Sequence, residues 1–279
     1  MVMKNALYWI LLSLLFLGIQ DARRAYASPY ATEVLSDNPV AYWRFEDTSG
    51  STATDSAGSN HGTYNNVALG QASAAPALGT AAGFNGTSAD VSVPALGVFA
   101  DLSIEAWAYI DNFPGGWSSL YNTDGCAFPC AHWQFVNLDV PRFEWALAGS
   151  DWSNGFVFGG GSWYHIVTTY EQGTGVASLY VNGQFQEHLF VLSGLVTTQS
   201  LGRIGSWGGG GRFVDGLIDE VAVYGSALTA SRVLAHYNAA TVPEPVSLVF
   251  LGVGVIALGV LGRRRATPPS SSTASRLSS

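Results

Sequence analysis

Two carboxylates that cleave a sugar bond must face one cleft about 5–9.5 Å apart, which on a single strand means alternate positions. No Glu-x-Asp-x-Glu or Glu-x-Asp-x-x-Glu run occurs in the chain. Asp219 and Glu220 are adjacent, so as strand residues they are expected on opposite faces, and Glu144 stands alone in its segment. A Gly-x-Ser-x-Gly nucleophile turn is absent. His61, His132, His165, His188 and His236 are scattered with no zinc spacing. Gly208 to Gly211 lacks the Lys-Ser/Thr of a phosphate loop and reads as a flexible rim loop. The pattern points to a protein that is not an enzyme.

What remains is chemistry of contact. Sugars present flat C–H faces that exposed indole rings complement, while polar neighbours bond the hydroxyls. Trp117, Trp152 and Trp207 lie in Gly-, Ser- and Asn-rich surroundings and are the candidate ligand-binding residues; the alternative is that they pack loops onto the core. Trp43, Trp107 and Trp163 sit in alternating segments and are expected in the core. Cys126 and Cys130 are the two cysteines, and in an oxidising compartment two cysteines four apart in a loop are expected to pair as a disulfide. Two thiolates alone make a poor zinc site, which wants four ligands.

These residues must be held by strands. Ile104, Ala106, Ala108 and Ile110 alternate with Glu105, Trp107 and Tyr109, a period of two. Residues 142–147, 163–170 and 177–181 show the same period. Asn182-Gly183 is a strong hairpin signal, because both residues tolerate the positive φ of a type I′ turn, and Gln184 to His188 should return as the partner strand. One short helix is expected from Ala230 to Asn238, capped by Thr229, with Val233, Leu234 and Tyr237 on one side. Many strands and one short C-terminal helix mean an all-β antiparallel sandwich.

The ends read differently. Lys4 precedes an apolar run from Ala6 to Ile19. As a helix it would span about 21 Å, short of the roughly 30 Å hydrocarbon core, so it reads as the core of a signal peptide. Ala25-Tyr26-Ala27 supplies a small-x-small cleavage site, giving a signal peptide over 1–27 and a mature start near Ser28; Arg23 and Arg24 leave an uncleaved anchor as the alternative. At the other end Pro243-Glu244-Pro245 is followed by an apolar stretch, 246–262, and then by Arg263, Arg264 and Arg265. Prolines stop any upstream helix, and three arginines hold the far end of a transmembrane helix on the cytoplasmic side.

That tail resembles the PEP-CTERM sorting signal, in which a Pro-Glu-Pro motif, a membrane helix and a basic cluster follow in order. The resemblance covers 242–265, and the polar extension 266–279, expected to be disordered, runs beyond it. It implies processing by an exosortase-type membrane protease in a cell that makes extracellular polysaccharide. A simple single-span anchor is the alternative. Either way the expectation is an exported protein, anchored in the inner membrane before processing and then at the cell surface or extracellular.

Between Ser28 and Val242 stand 18 acidic residues against five arginines, Arg44, Arg142, Arg203, Arg212 and Arg232, with no lysine, a formal charge of −13. A surface this acidic argues against nucleic acid, anionic lipid and polyanionic polysaccharide as direct electrostatic partners. The 13% of aromatic residues against 11% charged fits one large core, and 28–241 is read as one domain.

Seven short motifs follow in order across that domain: the run from Ala41 to Gly50, Asp55 to Tyr64, Phe84-Asn85-Gly86, Ile104 to Trp107, Trp163-Tyr164-His165, Leu179 to Gly183, and Asp215 to Tyr224. Together they resemble the laminin G-like, concanavalin A-like jelly-roll family. The resemblance implies two packed antiparallel sheets, a calcium ion in many members, and roles in glycan or protein binding. Calcium wants six to eight oxygen ligands, and Asp55 with Asn60 in a glycine-bearing loop offers some. By this resemblance Asp219 and Glu220 of the last strand would complete the site, since first and last strands of jelly rolls lie side by side. The alternative is that these groups bond loop backbone and close the sandwich. The expected function is binding of carbohydrate, such as extracellular polysaccharide. A structural or adhesive matrix protein, and a glycoside hydrolase or lyase of this fold, are the rivals.

Overall fold

The computed structural model describes residues 28–123, 132–146, 155–190, 197–199, 201–208 and 210–241. The expected signal peptide, Cys126 with Cys130, Trp152 and the expected sorting tail lie outside the described residues. Among the described residues no helix is long and apolar enough to cross a membrane; the expected span 246–262 is not among them.

Two antiparallel sheets face each other. The first runs in the order β14 (Gln184–Phe190), β13 (Val176–Val181), β12 (Trp163–Glu171), β8 (Leu102–Ile110), β17 (Asp215–Tyr224), β5 (Thr80–Asn85), β4 (Ala68–Ala72), and β1 (Ala41–Trp43) also pairs with β17. The second runs β11 (Pro141–Ala146), β10 (His132–Asn137), β9 (Gly116–Thr123), β16 (Gly202–Ile204), β6 (Asp90–Val93), β3 (Gly62–Asn65), β2 (Thr52–Ala53). A small ribbon joins β7 (Gly97–Phe99) to β15 (Thr197–Gln199). First and last strands do lie side by side, with Tyr42 opposite Ala222.

Period-two alternation does its expected work in β8. Ile104, Ala106, Ala108 and Ile110 enter the inter-sheet core with Trp43, Trp133, Phe135, Phe143 and Trp145. The hairpin at Asn182-Gly183 forms as the residues predict, with φ of 51° and 75°. Glycine is required at 183 for a second reason: a Cβ there would come within 2.9 Å of the Tyr237 Cβ.

The first sheet is buried on its outer face too, which alternation alone does not predict. Helix α2 (Ala230–Thr241) is joined there by a helix not anticipated from the sequence, α1 (Pro29–Ser36). The Ser28 hydroxyl caps α1 by accepting from the Ala31 amide at 3.1 Å, and Pro29 pre-sets its first turn. Under the two helices lies a second apolar cluster that includes Tyr30, Val34, Tyr42, Trp107, Val167, Tyr224 and Val233. On α2 the buried stripe is Val233, His236 and Ala240, while Leu234, expected inside, is 37% exposed.

His236 turns inward because a carboxylate waits for it. Glu105 of β8 is fully buried and accepts from the Tyr30 and Tyr224 hydroxyls, each at 2.7 Å, from His165 Nε2 at 2.7 Å and from His236 Nδ1 at 2.9 Å. The other nitrogen of His236 donates to Asp37 at 2.9 Å. Both nitrogens face carboxylates, where each can only donate, so His236 is the imidazolium cation. Arg232 closes the latch by donating from Nε to Asp37 at 2.8 Å and from Nη2 to Glu33 at 2.8 Å.

Burial alone would raise the Glu105 carboxyl, but the His236 charge and the bonds from both imidazoles hold it well below the ordinary 4.5. Burial works against the His236 charge, and the Glu105 carboxylate outweighs it, placing His236 above the ordinary 6.5. In β17 the ladder bulges between Asp219 and Ala222, and Glu220 takes a φ of 53°. The bulge overrides strict alternation: Asp219 pairs with Trp107 and Ala222 with Glu105, so both lie on the helix-covered face. Asp219 and Glu220 are fully buried. Burial drives the Glu220 carboxyl up to about 8 despite Arg44 and the Tyr42 hydroxyl, and raises Asp219 as well, with the Glu220 charge adding to it.

Two predictions follow from the signs. Glu105 contributes stability above pH 4.5 that is lost as pH falls through its lowered value, whereas His236 contributes below 6.5 and loses it as pH rises through its raised value. Asp219 and Glu220, both raised, also favour the fold most at low pH, with the Glu220 share gone above about 8. The melting temperature should therefore fall from pH 5 to pH 9, and Glu220→Gln should flatten that limb in calorimetry; a pH-independent melt contradicts the assignment. Glu105→Gln should cost about 3 kcal/mol or more in urea unfolding, because it strands two imidazoles in a buried site.

Candidate functional site

The outer face of the second sheet is built differently. Its strands alternate aromatic and polar side chains: Trp133, Phe135, Phe143 and Trp145 turn to the core, and His132, Gln134 and Glu144 turn away. Gln134 sits directly opposite Glu144 on one side and Ser119 on the other. Asn122 lies opposite both His132 and Arg203, and Arg203 lies opposite Ser92. One polar row therefore crosses β11, β10, β9, β16 and β6.

At one end of the row the partners form a closed set. Glu144 Oε2 accepts from Trp117 Nε1 and from Gln134 Nε2, both at 2.9 Å. Gln134 Oε1 accepts from the Ser119 hydroxyl at 3.1 Å and from Arg212 Nη1 at 2.9 Å. The Arg212 guanidinium lies 5.0 Å from the Trp117 ring centre and 4.6 Å from that of Trp207, a cation between two indoles. His132 meets Trp207 edge-on at 6.5 Å. Burial raises Glu144, opposed by its two N–H donors and by Arg212, and burial lowers Arg212 and His132.

The loop from β16 to β17 places Trp207 and Arg212 on this face. It is stitched to β9 by the Gly205 amide donating to the Leu120 carbonyl at 3.0 Å and by the Ser119 amide donating to the Arg212 carbonyl at 2.8 Å. Position 205 must be glycine: its φ is 84°, and a Cβ would lie 2.3 Å from the Phe84 ring.

At the other end Asp90 accepts from Arg203 Nη1 at 3.0 Å, the Ser206 hydroxyl at 3.1 Å and Asn65 Nδ2 at 2.7 Å. Between the two ends sits Asn122, fully buried, with neither amide atom hydrogen-bonded. Such a group costs about 1–3 kcal/mol. A fold that keeps it sacrifices stability at this place.

Of the three loop tryptophans, Trp117 and Trp207 are brought together, the latter 40% exposed, and Trp152 is outside the described residues. Sequence reasoning missed Arg212, Gln134 and Asn122. A local signal existed for Gln134, a glutamine between Trp133 and Phe135 in an aromatic strand; Arg212 joins the site only through the course of its loop.

The four residues expected to hold calcium divide between two places. Asp55 Oδ1 accepts from the Tyr42 and Ala57 amides and Oδ2 from the Asn60 amide, each at 2.9 Å, and Asn60 Nδ2 donates to the Val40 carbonyl at 2.8 Å. Asp219 accepts from the Ser73 hydroxyl, and Glu220 from the Tyr42 hydroxyl with Arg44 Nε 3.5 Å away. Among the described residues no group of three or more His, Cys, Asp or Glu side chains is placed to hold a metal ion. Carboxylates already saturated by amides, or buried beside a guanidinium, do not fit the six to eight free oxygens that calcium needs.

Residues 85–234 match the family described as the concanavalin A-like lectin/glucanases superfamily. The chain belongs to this family. Solved structures agree on the fold of this concanavalin A-like domain. Domain 4 of AbnA, a GH43 extracellular arabinanase from Geobacillus stearothermophilus, in complex with arabinotriose, is 19% identical with a TM-score of 0.54, over 72% of this chain and 98% of that one. A Trypanosoma rangeli sialidase is 18% identical with a TM-score of 0.54, over 72% of this chain and 32% of that one. The concanavalin A-like domain thus spans about a third of the sialidase. A search of curated proteins finds no match to the chain.

Asn122→Leu should raise stability by about 1 kcal/mol in urea unfolding, since it removes two orphaned polar atoms from a buried position; a loss of that size would mean that the amide is satisfied. Chelation or added calcium should leave the melting temperature unchanged, and a calcium-dependent rise of several degrees would contradict the assignment of Asp55 and Glu220 to closing the sandwich.

Proposed function

We propose that this domain is a non-enzymatic glycan-binding module whose site is the polar row on the outer face of the second sheet. The observation that carries the reading is the pairing of Trp117 and Trp207 around Arg212 above Gln134 and Glu144. Flat apolar rings beside fixed donors and acceptors are what a pyranose needs. The arabinanase domain of the same fold, whose structure holds arabinotriose, supports the ligand class.

Hydrolysis by a carboxylate pair is disfavoured by spacing among the described residues. Glu144 lies on β11 and Asp90 on β6, four strands apart in the sheet, or about 19 Å at ~4.8 Å per strand. That is twice the widest separation a glycosidase uses, about 9.5 Å. Asp139, at the turn between β10 and β11, is paired with Arg142 at 2.9 Å.

Delivery belongs to the same proposal. The N-terminal signal and the Pro243-Glu244-Pro245 tail with Arg263, Arg264 and Arg265 support export to the cell envelope and handling by an exosortase-type protease. The producing cell's own extracellular polysaccharide is then the natural ligand.

The test is affinity of the purified protein for that polysaccharide and for neutral oligosaccharides, arabinotriose included. Trp207→Ala should weaken binding about tenfold or more with the melting temperature held, because the ring is largely outside the core. Absence of sugar affinity combined with self-association would replace this reading with a structural matrix role, and release of reducing ends would replace it with an enzyme.

A further inference from the structure

The domain's arginines are few, and four of the five described have a carboxylate within reach: Arg44 with Glu220 at 3.5 Å, Arg142 with Asp139 at 2.9 Å, Arg203 with Asp90 at 3.0 Å and Arg232 with Asp37 at 2.8 Å. Among the described residues Arg212 has none. The one hydrogen bond of its side chain among the described residues runs from Nη1 to the neutral Gln134. Nε and Nη2 therefore have no protein partner there. These two form one edge of the guanidinium, the fork that a carboxylate fills with two parallel bonds.

Two indoles, Trp117 and Trp207, lie against that guanidinium. Burial lowers Arg212, so its charge is partly desolvated while the Nε/Nη2 edge stays unpaired. A partly desolvated charge with no hydrogen-bonded carboxylate gains more from an arriving anion than a fully solvated one does. The carboxylate beside it, Glu144, accepts from Trp117 and Gln134 on Oε2 and acts on Arg212 only through space.

We infer that Arg212 is a specificity-determining residue for a carboxylated sugar, such as a uronate, bound with its carboxylate on the Nε/Nη2 edge and its ring against Trp207. The inference rests on the glycan reading and sharpens it. It also meets the constraint of the −13 domain charge. A long-range field of that sign repels a densely charged polyanion but acts weakly, through a Debye length of about 8 Å, on one carboxylate carried by an otherwise neutral chain. The ligand is thus a glycan with widely spaced acidic sugars.

The test uses the full chain against an array of neutral oligosaccharides that each carry a single uronate, and against the same compounds with the carboxyl reduced to the alcohol. Wild type should bind the acidic member of a pair at least tenfold more tightly, and Arg212→Gln should abolish that preference while Arg212→Lys keeps part of it. Raising salt should weaken the acidic member more than the reduced one. Equal binding within each pair, still weakened by Trp207→Ala, would overturn the role of Arg212 and leave the glycan site standing. Binding of neither member on any pair would overturn both. Because the comparison of acidic and reduced ligand is made on wild type, it holds even where a variant folds poorly.

Discussion

Everything on the first sheet's outer side is organised around one buried negative charge. Glu105 cannot be tolerated in an apolar layer alone, since an unpaired ion there costs several kcal/mol. Its four partners come from four separate elements: Tyr30 from α1, His165 from β12, Tyr224 from β17 and His236 from α2. Satisfying one carboxylate thereby fixes two helices and three strands relative to each other. Asp37 and Arg232 extend the same chain of charge to the surface and join the helices directly.

The two sheets have divided their labour. The first sheet uses both faces for packing, and its ionisable groups, Glu105, Asp219 and Glu220, are all turned to structural partners. The second sheet gives one face to the core and keeps the other polar. Asn122 without partners and Arg212 with a free edge both lie on that polar face, while Trp107 Nε1, His165 Nδ1 and Thr168 Oγ1 of the first sheet are also unpaired.

Much of this was legible in the residues, and what was not has a physical reason. Local signals sufficed where local geometry decides, as in the alternation from Ile104 to Ile110 and the Asn182-Gly183 turn. Ser28-Pro29 also carries a capping signal for α1, but an eight-residue helix is stable only against its tertiary partners, which no window of sequence displays. The bulge at Glu220 depends on a glutamate held at positive φ by Tyr42 and Arg44, residues about 180 positions away. Leu234 and His236 exchange their expected places for the same cause, because a carboxylate on β8 outweighs hydrophobicity on α2. The tryptophans of the site announce themselves by their glycine-rich surroundings, whereas Arg212 becomes part of it only once its loop crosses β9.

The docking of α1 against α2 also decides which way the domain faces. Both helices cover the first sheet, and the last described residue, Thr241, ends α2 on that side. The polar row lies on the far side of the sandwich. The C-terminal end of α2 and the polar row therefore lie on opposite faces of the sandwich, with both sheets between them. A substitution that loosens the helices would thus act on one face of the domain and reach the polar row only through the core between the sheets.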